Sequence, residues 1–410
     1  MLPAEPKTVA VSLQDMATRR ALLRLAGAAA GACVLAACGP RRADRTDETI
    51  GPGAYLIFLT TKDGVSVLDQ DGRVVTPPTA VAVATPDWRH AVTARPDGGD
   101  TRVAVEDLAT RRVVSTHTIA DRFEPRAVSP AGDLIASVPP GGAGIYGLHQ
   151  PGGRERTTLV VSGRDGERVR LDLAGNVEPY AFSPGGDALF VLDFTPSRRP
   201  QRFAVRVLDL AAGRMVPVAV RGGQEHLRAH RVDDVLDPRR GLLFSLYVWP
   251  DETSAFVGYV HLRERWTGRI DLPAPFGVQR PGVHAIALAP SGDRLVVAHS
   301  PSASLAEIDP DRLAVSRVTT FAGTGQEGKP NAAFTASGRL VVNVDRRVIA
   351  TDPGLEVPTP GPARGLVVRG DTDVWAGHPN GVVRIDLASG RELGRLVVPD
   401  LFIVKHVRAA

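Results

Sequence analysis

Short apolar runs separated by polar turns recur along the chain from residue 54 onward. In the clearest copies an apolar run is followed by a turn of the type Ser-Pro-x-Gly-Asp and then by a second apolar run. Proline presets φ at the second turn position, glycine supplies a positive φ, and Ser or Asp caps the exposed backbone amides, so each copy predicts a hairpin. The three clear copies are Ala127–Ile135, Ala181–Phe190 and Leu288–Val296.

Degenerate copies and a second phrase extend this repeat over the chain. Four weaker turns, at Thr85–Trp88, Asp237–Gly241, Thr335–Gly338 and Arg369–Thr372, bring the number of turns to seven. Apolar and polar residues then alternate before Asp-Leu-Ala-x-Gly-Arg, as in Val205–Arg214 and Val383–Arg391 and more weakly in Val103–Leu108. Alternation with period two predicts a half-buried strand. Each unit therefore predicts four strands and no helix, at a spacing that brackets the roughly 40 to 50 residues of a propeller blade.

This order of motifs resembles the YVTN and WD40-like bacterial β-propellers over nearly all of residues 54–410. The resemblance implies an all-β fold, a closed β-propeller of four-stranded blades. Three predicted strands, Tyr55–Phe58, Gly64–Asp69 and Arg73–Val75, lack an innermost partner, which Leu401–Val407 at the other end of the sequence supplies. Joining the termini in one composite blade removes free sheet edges. This gives eight blades, with seven, the commoner number in the family that the chain resembles, as the alternative.

The only long apolar stretch precedes the repeats and runs from Ala21 to Ala37. It is interrupted by Arg24 and consists mostly of alanine and glycine, which falls short of the roughly 20 strongly apolar residues of a membrane-spanning helix. A basic head at Arg19 and Arg20, an apolar middle and small residues at the end are instead typical of an export signal.

Two motifs in this segment resemble known signal families. Thr18–Arg24 resembles the twin-arginine export motif, and Leu35–Cys38 resembles a bacterial lipobox. The second resemblance implies cleavage before Cys38, diacylation of that cysteine and anchoring at the outer face of the cytoplasmic membrane, because lasting attachment takes at least two acyl chains. Cys33, the other cysteine, leaves with the signal, so the folded domain has no free thiol and no disulfide. An ordinary secretory signal with a chance cysteine is the alternative.

These observations predict three segments. Residues 1–37 are a twin-arginine-type lipoprotein signal peptide, of which 1–15 are either a long n-region or lie upstream of a true start at Met16. Residues 38–53 are the lipidated cysteine and a flexible tether. Residues 54–410 are the propeller domain.

The charge of the chain argues against a nucleic-acid partner. The formal net charge is +4, and because residues 1–37 hold four basic and two acidic groups, the remainder carries about +2. No basic cluster is interleaved with aromatic residues, so nucleic-acid binding is not expected. Separately, we expect the protein to be a monomer. Arginine supplies nearly all the basic groups, and the only lysines are Lys7, Lys62, Lys329 and Lys405.

The candidate site lies at one mouth of the predicted channel. Loops that join the outer strand of one blade to the inner strand of the next meet there, which makes this mouth the default binding surface of a propeller. Glu-Pro recurs before two inner strands and places two carboxylates at the rim, a recurrence more typical of repeat architecture than of an acid–base pair. The candidate rim residues are Glu124, Arg126, Glu178, Tyr180, His226, His230, His284 and Asn331.

Two loops near this mouth carry further chemistry. His226 and His230 are four residues apart in Gly222–Asp234 and would share a face for a divalent metal if the segment were helical, although a solvated, charge-rich loop is favoured. The loop Pro139–Arg156 is rich in glycine around Gly141–Tyr146. A phosphate cradle needs a helix N-terminus directly after it, and none is predicted, so a flexible lid beside the mouth is favoured. We therefore expect no bound metal or cofactor.

The sequence leaves two classes of function open. It contains no Gly-x-Ser-x-Gly, no CxxC and no Ser-His-Asp order that survives inspection. The leading hypothesis is a non-catalytic, lipid-anchored propeller that binds or scaffolds a protein, glycan or small ligand at the mouth. The alternative is an extracytoplasmic enzyme such as a lactonase or another hydrolase. A redox role ranks third because no haem or copper motif is present.

Overall fold

The computed structural model describes residues 55–409, apart from 80, 109, 111, 142, 146–147, 223–224, 250–253, 278–280, 324, 326 and 353. The export and lipidation residues Arg19, Arg20 and Cys38 lie outside the described residues. Strands dominate the described part, and its single helical element is a 3-10 turn, η1 (Pro281–Val283). Over the same residues, no helix has the length and apolar character needed to cross a membrane.

The first half of the described chain contains seventeen strands. In chain order they are β1 (Tyr55–Thr61), β2 (Gly64–Asp69), β3 (Val74–Thr79), β4 (Val81–Ala84), β5 (His90–Asp97), β6 (Asp100–Asp107), β7 (Arg112–Ile119), β8 (Glu124–Val128), β9 (Ile135–Val138), β10 (Ala143–Ile145), β11 (Leu148–Gln150), β12 (Arg156–Gly163), β13 (Gly166–Ala174), β14 (Asn176–Phe182), β15 (Ala188–Thr195), β16 (Arg202–Asp209) and β17 (Arg214–Pro217).

The second half adds eighteen strands. They are β18 (Ala219–Val220), β19 (His230–Asp237), β20 (Leu242–Val248), β21 (Ala255–His261), β22 (Trp266–Asp271), β23 (His284–Leu288), β24 (Leu295–His299), β25 (Ser304–Asp309), β26 (Ala314–Thr320), β27 (Asn331–Phe334), β28 (Leu340–Val344), β29 (Arg347–Thr351), β30 (Gly354–Pro358), β31 (Leu366–Arg369), β32 (Asp373–His378), β33 (Gly381–Asp386), β34 (Arg391–Val397) and β35 (Leu401–Ala409).

These strands form eight blades arranged as an eight-bladed β-propeller. From the channel outward, blade 1 is β35-β1-β2-β3, blade 2 is β4 to β7, blade 3 is β8-β9-β12-β13 and blade 4 is β14 to β17. Blades 5 to 8 are β19 to β22, β23 to β26, β27 to β30 and β31 to β34. Blade 5 gains a fifth strand because β18 pairs in parallel with β22, and a separate hairpin, β10–β11, is inserted between the second and third strands of blade 3.

The predicted composite blade is confirmed, and it settles the count at eight. Strand β35 pairs antiparallel with β1 and takes the innermost position that the N-terminal strands lack. Tyr55 at the start of β1 then fastens this blade to blade 8. Its ring lies 5.1 Å from that of Trp375, and its hydroxyl accepts a hydrogen bond of 2.9 Å from Arg384. Closing the ring through both ends of the described chain leaves no open blade face.

The repeated turn works as its chemistry predicts. In the copy of blade 3, the Ser129 hydroxyl donates to the Asp133 carboxylate at 2.6 Å and accepts from the amide of Leu134 at 3.0 Å. Gly132 adopts φ of +70° and donates its amide to the Ser129 carbonyl at 2.8 Å. Ser183 and Asp187 repeat the pattern in blade 4. All seven turns join the innermost strand of a blade to its second strand.

Hydrophobic packing is divided among the interfaces between blades. The described residues contain eight buried clusters, and each cluster joins two neighbouring blades. Phe244 and Leu295, for example, belong to the cluster between blades 5 and 6, while Trp375 and Ile57 belong to the cluster between blades 8 and 1. A cluster at every interface, including the one between the first and last blades, shows that the ring is closed.

His406 illustrates how the composite blade is sealed against blade 2. Its imidazole stacks on the Trp88 indole, with ring centroids 4.7 Å apart and an interplanar angle of 6°, and lies 5.8 Å from the ring of Phe58. Burial lowers the pKa of His406 to about 4, and the positive charges of Arg408 and Arg369 act in the same direction. The neutral imidazole is therefore the form that the fold stabilises.

We expect this histidine to make stability depend on pH. Between its folded pKa of about 4 and its usual value of 6.5, the unfolded chain binds more protons than the folded one. The contribution is therefore complete above pH 6.5 and is lost as the pH falls toward 4. It should amount to about 1–2 kcal/mol, discounted because part of the ring contacts solvent. Urea unfolding at pH 7.5 and 4.5 should show a smaller loss in His406→Phe than in wild type and an unchanged loss in His226→Phe, whose side chain is exposed. Equal pH dependence in all three proteins would contradict the assignment.

Candidate functional site

The connections between strands define one charged mouth of the channel. Segments that lead from an outer strand to the next inner strand open on the same face as those between second and third strands, because neighbouring strands of a blade run antiparallel. The β10–β11 hairpin belongs to this face, and β11 contacts β19, the innermost strand of blade 5. The loop expected to be a flexible lid thus contains a hairpin that reaches past blade 4 to blade 5.

β-Bulges interrupt the pairing of three inner strands. After Pro125 and again after Pro179 the pairing register shifts by one residue, which leaves Arg126 and Tyr180 outside the ladder. Proline has no backbone N–H to donate, so a bulge beside it costs little pairing. The register of β35 shifts in the same way and leaves Lys405 as its extra residue. A bulge re-aims the side chain of the extra residue.

Four charged side chains from blades 3 and 4 form one cluster, which we call the Glu178 cluster (Glu124, Arg126, Arg154 and Glu178). Arg126 donates to the Glu124 carboxylate at 2.6 Å, and its Nε lies 3.7 Å from Oε2 of Glu178. Arg154 donates to Glu178 Oε1 and to the carbonyl of Val177, the latter at 2.9 Å. Glu178 is only 2% exposed. Each carboxylate is paired with a guanidinium, so the ion pairs of this cluster link blades 3 and 4.

Tyr180 belongs to a second network, between blades 4 and 5. Its hydroxyl and that of Ser245 share a hydrogen bond, and Ser245 also donates to the Asp234 carboxylate. The Arg231 guanidinium lies 5.2 Å from the centroid of the Tyr180 ring and 3.7 Å from Asp234. Burial raises the pKa of Tyr180 well above its usual value and that of Tyr247 to about 12, so both phenols stay protonated at neutral pH.

The two histidines of the Gly222–Asp234 segment are not on a helix. His226 is exposed in a loop, and His230 is the first residue of β19. Beside them Glu225 pairs with Arg206 at 2.5 Å. Without a shared helical face, the spacing of four has no ligating geometry. Within the described ranges, no three His, Cys, Asp or Glu side chains are grouped so that they could hold a metal ion.

The remaining two candidates take different positions. His284 is fully buried; its ring lies 4.7 Å from that of His299, and its Nε2 accepts from the amide of Gly277 at 3.3 Å. Asn331 begins β27 and donates its amide to the carbonyl of Lys329 at 2.9 Å. The eight candidates therefore fall into different surroundings. Glu124, Arg126 and Glu178 lie together, Tyr180 joins a second network with Asp234, and the other four lie apart from the Glu178 cluster.

Sequence reasoning missed the opposite side of the channel. Lys329 precedes blade 7, Arg364 precedes blade 8 and Lys405 lies on the innermost strand of blade 1. We call these three residues the basic arc. No motif joins them, since each comes from a different unit of the repeat. The available signal was composition, because lysine is rare in this arginine-rich chain.

Comparison with known proteins shows similarity in fold alone. No protein-family model matches the chain, and neither does any curated protein. Dihydro-heme d1 dehydrogenase NirN in complex with DHE is similar in structure, with a TM-score of 0.52 and 14% identity over 87% of this chain and 75% of that one. Apo AztD from Citrobacter koseri has a TM-score of 0.46 at 14% identity, covering 86% and 98% of the two chains. The periplasmic gluconolactonase PpgL from Pseudomonas aeruginosa has 0.44 at 17%, covering 87% and 99%. The eight blades, together with the similarity to the first of these structures, define the chain as a β-propeller.

Proposed function

We propose that this protein is a lipid-anchored, extracytoplasmic β-propeller that binds a ligand at the charged mouth of its channel. Export and lipid anchoring are supported by Arg19 and Arg20 before the apolar stretch and by Leu35–Cys38 at its end. The sequence has no cysteine after Cys38, so an oxidising compartment leaves the propeller unchanged.

The observation that carries the binding role is the construction of the mouth. Inner strands of different blades hold Arg126, Tyr180 and Lys405 at bulges on a closed ring, and buried ion pairs keep the Glu178 cluster in place. Such a rigid concave surface loses little entropy when it binds a ligand. The carboxylates of the cluster are already paired with arginine, and this arrangement suits recognition better than the free acid and base that a hydrolase needs.

The export and lipidation motifs can be tested separately by palmitate labelling and membrane fractionation. Cys38→Ser should abolish labelling by palmitate and release the protein from membranes, because the acylated sulfur is lost. The matched control, Cys33→Ser, changes a cysteine of the same segment outside the lipobox and should leave labelling intact. Replacing Arg19 and Arg20 together by lysine should leave an unprocessed cytoplasmic precursor, whereas Arg24→Lys should be exported. Palmitate labelling of Cys38→Ser would refute lipidation at Cys38. Normal export of the double variant would refute twin-arginine export.

A further inference from the structure

The three lysines in the described part of the chain have two different surroundings. Lys62 is exposed on the surface, and its ammonium pairs with the Asp400 carboxylate at 2.5 Å. Lys329 is only 8% exposed, and Lys405 projects from a bulge of the innermost strand of blade 1. A chain that uses arginine almost everywhere for positive charge therefore places two of its rare lysines in or beside the channel.

Backbone hydrogen bonds bring these two lysines together with an arginine. Lys329 donates its amide to the carbonyl of Ala363 at 2.9 Å and forms a parallel bridge with Arg364. Val404, the neighbour of Lys405, donates to the carbonyl of Arg364 at 2.8 Å. Three segments from blades 7, 8 and 1 thus lie side by side. The glycines at 328 and 365 permit this approach, since an added Cβ would lie 2.5 Å from the Ala363 oxygen and 2.3 Å from the Val404 oxygen, respectively.

In the described part of the chain, no ion pair neutralises the cations of the basic arc. Within the described residues, the side chains of Lys329, Arg364 and Lys405 have no hydrogen bond and no ion pair. The Lys405 side chain is exposed to solvent, and partial desolvation by the protein around it lowers the pKa of its ammonium. The charge of Lys329 lowers the pKa further, while the carboxylate of Asp233 on β19 acts in the opposite direction. Like charges held together with only the Asp233 carboxylate to offset them raise the free energy of the fold, and an anionic ligand would relieve that cost.

We propose that the basic arc binds a small molecule with two or more negative charges, namely a polycarboxylate or a phosphate-bearing compound. The inference rests on the proposed ligand-binding function and names the ligand class. The arginines of the Glu178 cluster are already paired with Glu124 and Glu178, so these two cations are not free to bind an anion. Two ammonium groups act as compact point charges and the guanidinium of Arg364 as a planar donor, which together suit a multiply charged anion.

Isothermal titration of the full chain in detergent tests the proposal with citrate, pyrophosphate, glucose and gluconolactone as probes. We expect citrate or pyrophosphate to bind, and Lys405→Met and Lys329→Met each to weaken that binding by about tenfold or more, since each removes a charge-assisted contact. The preference between the two anions distinguishes a carboxylate site from a phosphate site. Lys62→Met, a matched lysine outside the channel, should bind as wild type does.

Asp233→Asn is a control with an expected gain of binding, which a folding defect cannot produce. It removes the carboxylate that acts on Lys405, so it should bind the anion several-fold more tightly than wild type. Failure of both anions to bind, or equal losses in Lys62→Met and Lys405→Met, would overturn the anion site. Binding or hydrolysis of gluconolactone, or binding of glucose, with no response to anions would overturn it too. Binding of either neutral probe alone would leave the ligand-binding function in place, and hydrolysis would favour the enzyme.

Discussion

Gly365→Ala is expected to lower the free energy of unfolding by about 3–5 kcal/mol, combining the strain of a left-handed backbone with overpacking. Gly365 has φ of +105°, and a Cβ there would lie 2.3 Å from the carbonyl oxygen of Val404 and 2.6 Å from its amide nitrogen. Both are backbone atoms of β35, so no side chain can rotate away. Relief requires blade 8 to separate from the composite blade, which weakens the bond from Val404 to Arg364.

Gly370→Ala is the matched control for that substitution. It lies in the same blade with φ of +59°, but an added Cβ meets no atom within 4 Å. It should therefore show only the conformational cost, about 1–2 kcal/mol. Equilibrium denaturation of both variants separates the two terms. If they unfold at the same denaturant concentration, the close approach of blades 8 and 1 contributes nothing to closure of the ring.

The repeat predicted the fold because its turn chemistry is local. Seven turns join innermost to second strands, whereas the structure has eight blades. The difference arises because blade 1 takes its innermost strand from residues 401–409 and its second strand from residues 55–61, so no turn connects them. The composite blade was predictable from unpaired apolar segments at the two ends of the repeat array. A count of turns alone would have given seven.

The site was less predictable, since its contacts join distant parts of the sequence. Glu-Pro marked Glu124 and Glu178, but nothing local showed that Arg154, from a loop of the preceding blade, would hold Glu178. The basic arc depends on the backbone contacts that join blades 7, 8 and 1 where the ring closes. His284 lies at the start of an inner strand, yet its ring is completely buried, with the Gly277 amide and the His299 ring against it. Periodicity predicts which face of a strand is buried and carries no information about loops that cover it.

Glu178→Gln is expected to lower the free energy of unfolding by about 3 kcal/mol, because removing one member of a buried ion pair leaves its partners uncompensated. The Glu178 carboxylate is almost completely buried, and two guanidinium groups face it, from Arg154 in the loop of blade 3 and from Arg126 on β8. Glutamine keeps the shape and one acceptor but loses the charge that both arginines face. Urea unfolding at neutral pH measures the loss.

Glu124→Gln provides the control on the same cluster. Its carboxylate accepts from Arg126 at 2.6 Å, but the side chain is 26% exposed, so water replaces much of the lost interaction and the change should stay below about 1 kcal/mol. A cycle with Arg154→Met adds a sharper test. If Glu178 and Arg154 act as a buried pair, the double variant Glu178→Leu with Arg154→Met should be more stable than Glu178→Leu alone, because no unpaired guanidinium remains. Additive losses would mean that Glu178 and Arg154 do not stabilise each other, and that packing alone holds blades 3 and 4 together at the rim of the mouth.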